Sequence, residues 1–228
     1  FHIIDMLHVS IRDNGAEGRG EAAGVYYLNE TGESLLADAE SVREALELGA
    51  DRETLRLLLP AGGARNAIDC ALWDLEAKLS GRSIWDMTGI EPEPTQSFFT
   101  VGLDTPEKMA AKALSLQSSK IKVKLDGQNP LECISAVRGA RPDAEIIVDV
   151  NQGWSFAQLV DLAPQFRELN ISMIEQPLPR GADEELEGYE SPVPLCADES
   201  CLTTDEFEQA DRRYQIINIK LDKTGGLT

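Results

Sequence analysis

The stretch EIIVD at residues 145–149 is a short apolar run that ends in a carboxylate. Four other runs in the chain have the same shape, and the charged residues that close the five runs follow one another at intervals of 22 to 26 residues. These closing residues are Lys124, Asp149, Glu175, Asp198 and Lys220. A buried parallel strand is typically a short apolar run, and alternation of such strands with helices is typical of β/α units. The repeat therefore predicts a parallel sheet with a charge at the end of each strand.

The same alternation extends back to a further apolar run at residues 96–101, which is followed by a helical stretch at 106–116. Counting this run, six strands are predicted between residue 96 and residue 220. A complete (β/α)₈ TIM-type barrel has eight strands and about 250 residues. We therefore expect residues 95–228 to be a partial barrel with about six strands, in an α/β protein that is part of a longer one.

Residues 1–94 have a different pattern, which predicts an α+β capping domain. Strand-like alternation at 6–11 and 18–22 flanks the turn Asp13-Asn14-Gly15, as in an antiparallel hairpin. Helical periodicity follows at 34–59 and again at 64–80, where Gly81 ends the pattern. The Gly-x-Gly at 18–20 follows a turn and opens no helix, so it does not predict a phosphate-binding loop.

The composition excludes several classes of partner. The net charge of −19 opposes binding to nucleic acid and to anionic membranes. No apolar run is long enough to cross a membrane, and the first residues do not have the pattern of a secretory signal. The four cysteines have no CxxC spacing, which favours reduced thiols in a cytoplasmic protein.

Three of the closing residues are carboxylates, Asp149, Glu175 and Asp198. The active sites of β/α barrels lie at the carboxyl ends of the strands, where these side chains would converge. Without a partner, the three would repel one another and raise one another's pKa values. A hard divalent cation removes this conflict, and carboxylate oxygens suit Mg²⁺. The alternative is a set of unrelated acids at strand ends or helix N-caps.

Lysines flank the carboxylates. Lys122 and Lys124 are two residues apart on one strand, so both face the same side of the sheet. A neighbouring ammonium lowers the pKa of a lysine and makes it a usable base near neutral pH. Lys220 is expected to face Lys124 across the metal, since strands two and six are opposite in an eight-stranded ring. The alternative is an edge strand with solvated lysines.

Two bases on opposite sides of a metal-bound substrate indicate a specific reaction. One lysine removes the proton next to the carboxylate of a small-molecule substrate, the metal stabilises the resulting enediolate, and the other lysine returns a proton to the opposite face. The product is an epimer. The same groups would support elimination or cycloisomerisation if the second proton went to a leaving group instead.

The sequence resembles the enolase superfamily, and within its muconate-lactonising subgroup it is similar to the L-Ala-D/L-Glu (dipeptide) epimerases. A Lys-x-Lys pair on strand two and a lysine on strand six are typical of that subgroup. The resembling segments cover most of the chain from residue 60 onward. They are 60–74, 122–126, 147–151, 174–179, 196–201 and 218–228.

The resemblance implies an acid/base pair, Lys124 and Lys220, and an auxiliary lysine, Lys122. It also implies Asp149, Glu175 and Asp198 as Mg²⁺ ligands, and strand phase adds Asn151 and Asp222 as neighbours of the site. N-acylamino-acid racemase, o-succinylbenzoate synthase and muconate cycloisomerase would use the same residues, and a non-catalytic metal- or ligand-binding homologue is a further alternative. The family's N-terminal loop over the substrate has too little room in residues 1–7. Barrels of this kind also associate, so a homo-oligomer is possible.

Overall fold

The computed structural model describes residues 4–228. The prediction that residues 1–7 leave too little room for an N-terminal loop falls partly on residues 1–3, which lie outside the described residues. The chain divides into two compact units. The first is Phe1–Glu93, described from residue 4, together with Ile219–Thr228, and the second is Pro94–Asn218. The domain boundary between residues 94 and 95 stays a prediction, and the contact pattern differs from it by assigning 219–228 to the first unit.

The helices and strands follow one another in the order expected for a hairpin and helices before a series of β/α units. Up to residue 93 they are β1 (Met6–Asp13), β2 (Ala16–Ala23), α1 (Gly32–Ser41), α2 (Arg43–Glu47), α3 (Arg52–Leu58), α4 (Gly63–Ser80) and α5 (Ile84–Thr88). The second unit contains β3 (Phe99–Val101), α6 (Pro106–Ser115), β4 (Lys120–Lys124), α7 (Pro130–Ala140), β5 (Glu145–Asp149), α8 (Phe156–Glu168), β6 (Ile171–Glu175), β7 (Leu195–Ala197), α9 (Phe207–Asp211) and β8 (Ile216–Ile217). The segment 219–228 contains α10 (Leu221–Thr224).

The predicted hairpin is present. β1 and β2 are antiparallel, and the two residues that join them, Asn14 and Gly15, both have positive φ, as a tight hairpin turn requires. The Gly-x-Gly of β2 is a packing feature. A Cβ at Gly20 would lie 2.0 Å from the carbonyl oxygen of Ala67 on α4, and one at Gly18 would lie 2.1 Å from that of Ala71. The two glycines therefore let β2 lie directly against α4.

The helical pattern predicted at 34–59 forms three helices rather than one. Side chains of Thr31 and Asp51 cap the N-termini of α1 and α3, and Gly49 has a φ of 92°, which a continuing helix does not permit. α4 matches the predicted helix, and Gly81 ends it in the left-handed conformation. The carboxylate of Glu30 accepts the backbone N–H of Gly63 at the start of α4.

The segment 219–228 is hydrogen-bonded to α4 inside the first unit. Oδ2 of the buried Asp69 accepts the backbone N–H groups of Leu227 at 2.7 Å and Thr228 at 3.1 Å. Nε of Arg65 donates to the carbonyl oxygen of Gly225 at 3.1 Å. Because Asp69 and Arg65 lie four residues apart, they share one face of the helix and bind the segment together.

The second unit is a parallel sheet of six strands in the order β3-β4-β5-β6-β7-β8, so each strand pairs with the next in sequence. The predicted fold class is confirmed: an α/β sheet of the TIM-barrel type accompanies an antiparallel N-terminal hairpin. Ile121, Ile146, Ile174 and Phe166 belong to one apolar core that joins the strands to their helices. Within residues 4–228, no helix is long and apolar enough to span a membrane.

Candidate active site

The ends of neighbouring parallel strands carry charged side chains in one row. Lys124 on β4 pairs in register with Asp149 on β5, which pairs in turn with Glu175 on β6. Asp198 directly follows β7, whose Cys196 pairs with Glu175. Asp149, Glu175 and Asp198 are each only 1% exposed. Four of the predicted site residues therefore lie at the carboxyl edge of the sheet, where the repeat predicted them.

Both lysines of β4 contact the carboxylates, as their two-residue spacing predicts. Nζ of Lys122 lies 2.7 Å from Oδ2 of Asp149 and 2.6 Å from Oε2 of Glu175. Nζ of Lys124 lies 2.7 Å from the same Asp149 oxygen and donates to Oδ1 of Asn151 at 2.6 Å. Two ammonium groups thus offset the charge of two buried carboxylates.

Burial and ion pairing act in opposite directions on the pKa of Lys122. Burial lowers this pKa because it disfavours the charged form, but the hydrogen bonds to Asp149 and Glu175 outweigh burial and raise the pKa above its ordinary value. Burial likewise raises the pKa of Asp149, but hydrogen bonds from Lys122 and Lys124 bring it below its usual range.

Asn151 contacts both Lys124 and Asp149, so it is a neighbour of the charged row, as expected from its strand phase. Its backbone has a positive φ of 46°, which turns the chain at the end of β5. Its N–H donates to Oδ1 of Asp149 at 3.1 Å, while its side-chain oxygen accepts from Lys124. Asn151 therefore orients both Asp149 and Lys124.

Two amide side chains at this edge were not predicted. Nδ2 of Asn218 donates to Oε1 of Glu175 at 2.8 Å, on the opposite carboxylate oxygen from Lys122. Gln176 follows Glu175 directly, and its side chain accepts the backbone N–H of Asp198. The available signal was position alone, since each amide lies within two residues of a charge that closes one of the apolar runs in the sequence.

Lys220 and Asp222 are not on a strand. β8 ends at Ile217, and Lys220 is the N-cap residue of α10, so the strand is shorter than the apolar run suggested. Oδ1 of Asp222 accepts the N–H of its neighbour Lys223 at 3.0 Å. Both residues belong to the unit that contains α10, and their roles in the site stay predictions from the sequence.

The donor atoms at the sheet edge fit a divalent cation by their chemistry. Asp149, Glu175 and Asp198 supply buried carboxylate oxygens from adjacent strand ends, and such oxygens are preferred by Mg²⁺. The fit lies in the chemistry of these three carboxylates and not in a preformed cluster, because within residues 4–228 no three acidic, histidine or cysteine side chains are already grouped as a metal site. The ammonium of Lys122 bonds to two of the carboxylates and supplies compensating positive charge. A divalent cation would supply charge of the same sign to the same oxygens.

A parallel sheet of β/α units with buried acids and lysines at its carboxyl edge defines a protein of the β/α-barrel class with a site suited to proton transfer. Residues 4–89 match the family described as mandelate racemase / muconate lactonizing enzyme, N-terminal domain, and residues 106–228 match the family described as enolase C-terminal domain-like. The chain belongs to the enolase superfamily.

Relatives of known activity are isomerases. The chain is 43% identical over 227 residues to the L-Ala-D/L-Glu epimerase of Escherichia coli (strain K12), covering 98% of this chain and 71% of the relative. It is 46% identical over 171 residues to the N-acetyl-D-glutamate racemase of a Pseudoalteromonas species, covering 75% of this chain and 54% of the relative. The chain therefore spans part of the length of each relative.

Solved structures with the same fold include complexes with dipeptides. An enolase family member from Agrobacterium tumefaciens with homology to dipeptide epimerases, bound to sodium and L-Ala-L-Glu, is 40% identical with a TM-score of 0.94, covering 98% of this chain and 69% of that one. The dipeptide epimerase of Methylococcus capsulatus, complexed with Mg and L-Arg-D-Lys, is 32% identical with a TM-score of 0.89, covering 98% of this chain and 69% of that one.

Proposed function

We propose that this chain carries the site of a Mg²⁺-dependent epimerase that removes and returns the α-proton of a carboxylate substrate, and that the substrate is an L-Ala-D/L-Glu dipeptide derived from peptidoglycan. The observation that carries this proposal is the row of Lys124, Asp149 and Glu175 on adjacent strand ends. The E. coli relative supports the substrate, because its name states the same dipeptide.

Lys124 is assigned the first proton transfer. Its Nζ is held by Asn151 and Asp149, and as the base it takes the proton from the α-carbon of the glutamate residue. The electron pair of the broken C–H bond moves into the carboxylate, which becomes an enediolate. Lys220, assigned from the sequence pattern, returns a proton to the opposite face of the same carbon. The configuration inverts, and no other bond changes.

Asp149, Glu175 and Asp198 are the residues that would hold Mg²⁺. When bound, the ion supplies positive charge beside the oxygens on which the enediolate charge develops. Lys122 holds Asp149 in its charged form, since it bonds to that carboxylate and its neighbour. Asn218 fixes the orientation of the Glu175 carboxylate through Oε1.

N-acylamino-acid racemisation is a second candidate, and the Pseudoalteromonas relative favours it. Both substrates have an N-acylated glutamate at the reacting carbon, and the dipeptide differs by the charged amino group of its alanine. The muconate cycloisomerase and o-succinylbenzoate synthase reactions are less supported, because the relatives described above are named epimerases and a racemase. A homologue that only binds a metal or ligand would not require a pair of lysine bases, so the presence of Lys124 and Lys220 argues against the non-catalytic alternative.

The test is turnover of the full-length gene product with Mg²⁺ on L-Ala-L-Glu and, separately, on N-acetyl-L-glutamate, with product configuration read by chiral chromatography. Conversion of L-Ala-L-Glu to L-Ala-D-Glu is the expected result. Conversion of the N-acetyl compound alone would replace the proposed substrate with the second candidate. Conversion of neither compound, with Mg²⁺ still bound, would favour the non-catalytic alternative.

We place the protein in the cytoplasm on the pattern of its cysteines, and a homo-oligomer remains a prediction from the resemblance. Light scattering on the purified protein at several concentrations tests the predicted homo-oligomer. A mass that stays at that of one chain throughout would contradict it.

A further inference from the structure

Gln176 is a fully buried polar residue at the end of β6, directly after Glu175. It is 0% exposed, and its backbone has a positive φ of 38°, which residues other than glycine seldom adopt. Such backbone conformations persist where surrounding contacts hold them. The contacts of Gln176 should therefore explain why the chain turns in this way.

The backbone of Gln176 joins the carboxyl ends of three strands. Its N–H donates to the carbonyl oxygen of Cys196 on β7 at 2.8 Å. Its own carbonyl oxygen accepts the N–H of Gln152, just beyond β5, at 2.8 Å. The ends of β5, β6 and β7 are the strand ends with the proposed metal ligands, so Gln176 connects all three.

The side chain of Gln176 holds the turn that contains Asp198. Its Oε1 accepts the backbone N–H groups of Asp198 at 2.9 Å and Ser200 at 3.0 Å. Its Nε2 donates to the carbonyl oxygen of Leu178 and to Oγ of Ser200, both at 2.8 Å. One amide thus satisfies two backbone donors in the turn after β7, and one of these donors belongs to the proposed ligand itself.

A second layer of buried polar groups holds the amide in place. Nε2 of Gln176 also lies 3.2 Å from the hydroxyl of Tyr214. Oδ2 of Asp183 accepts from this hydroxyl at 2.7 Å and from Oγ of Ser200 at 2.6 Å, while Oδ1 accepts from Arg213 at 2.7 Å. Burial raises the pKa of Tyr214, so its hydroxyl keeps the proton that it donates. The network therefore limits Gln176 to one orientation.

We propose that Gln176 is a positioning residue that sets the place of Asp198 relative to Asp149 and Glu175, and so sets the affinity of the site for Mg²⁺. This inference rests on the proposed function, because it takes Asp198 as a metal ligand. Backbone hydrogen bonds between the strands hold the sheet together without Gln176. The side chain of Gln176 is needed for a different contact, since it accepts the backbone N–H of Asp198 itself. Removing a residue that is hydrogen-bonded to a metal ligand and orients it typically weakens metal affinity about 10- to 100-fold.

The test is the Mg²⁺ dissociation constant of the full-length protein, measured by calorimetry without substrate, together with the thermal midpoint of the metal-free protein. Gln176→Leu is expected to weaken Mg²⁺ binding about 10- to 100-fold. Phe166→Leu is the matched control, since it disturbs the core of the same unit. It is expected to lower the midpoint and leave the dissociation constant unchanged.

Tyr214→Phe keeps the amide and removes one support, so it is expected to weaken Mg²⁺ binding less than Gln176→Leu and remains informative if the latter does not fold. Asp198→Asn separates the two proposals. If Asp198→Asn weakens binding but Gln176→Leu and Tyr214→Phe bind Mg²⁺ as the wild type does, the positioning role is overturned and the proposed site stands. If Asp198→Asn binds as the wild type does, the ligand assignment fails, and the inference fails with it.

Discussion

Nζ of Lys122 lies 2.6 Å from Oε2 of Glu175, a residue 53 positions away along the chain. β5 lies between their two strands in the sheet, so the lysine reaches past one strand to the next. On the way it also bonds to Asp149 of that middle strand. One ammonium group thus links three consecutive strands at the edge where the reaction is proposed to take place.

Lys122→Met should destabilise the metal-free protein, because two buried carboxylates lose a cationic partner. Hydrogen bonds to charged groups contribute about 1.5–3 kcal/mol, so a loss of this size in the free energy of unfolding is expected from urea titration in a chelator. Saturating Mg²⁺ should restore part of the loss, since a ligand of the native state stabilises it.

Lys120→Met is the control for this prediction. Lys120 lies on the same strand, but its pair with Glu145 is longer, at 3.3 Å, and the two side chains are 30% and 45% exposed. Exposed pairs contribute about 0–1 kcal/mol. Equal losses in the two variants would show that Lys122 has no special part in holding the buried carboxylates.

Gly20→Ala should destabilise the first unit, because the added Cβ would meet the carbonyl oxygen of Ala67 at 2.0 Å. Overpacking of this kind costs about 1–3 kcal/mol, which a lower thermal midpoint would report. Gly139→Ala is the control, since nothing lies within 4 Å of the Cβ position and the residue is in a helix. It should raise the stability by about 0.4–1 kcal/mol. A tolerated Gly20→Ala would contradict the close packing of β2 on α4.

Glu206 should make the stability of the protein depend on acid pH. Burial raises the pKa of this carboxyl, but the hydrogen bonds and charge of Arg180 together with the backbone N–H groups of Leu202 and Thr203 outweigh burial and bring the pKa below the ordinary 4.5. The folded state therefore binds the proton less tightly than the unfolded state does. The resulting stabilisation is complete above pH 4.5 and is lost as the pH falls through the lower folded pKa.

Urea titrations of Glu206→Gln from neutral to acid pH should show a shallower fall in stability than the wild type shows. Arg180→Met should give a change in the same direction, because it removes the side chain that contributes most to lowering the pKa of Glu206. A wild-type slope in both variants would mean that this ion pair is not the origin of the effect.

Much of the sheet and part of the site could be predicted, because both depend on local pattern. The repeat of an apolar run closed by a charge gives strand order and strand phase, and phase is enough to gather Lys122, Lys124, Asp149 and Glu175 on one edge. The two-residue spacing of the lysines predicted their common side for the same reason.

The remaining features depend on contacts between distant parts of the chain. Gln176 acts through a positive φ and through Asp198 and Ser200, which follow another strand, and no periodicity indicates this. The raised pKa of Lys122 follows from hydrogen bonds to Asp149 and Glu175 on two other strands, and the spacing of the lysines does not indicate these contacts. The glycines of β2 were visible as a motif, but the helix surface that requires them was not.

The most direct test of two-base proton transfer is proton NMR of L-Ala-L-Glu and L-Ala-D-Glu in D₂O with Mg²⁺, using the wild type, Lys124→Ala and Lys220→Ala. The wild type should exchange the glutamate α-proton of both dipeptides and interconvert them. Each variant should lose interconversion and retain exchange of one dipeptide, a different one in each variant, because one base remains on one face. Interconversion at the wild-type rate in both variants, or no exchange with the wild type, would contradict the account.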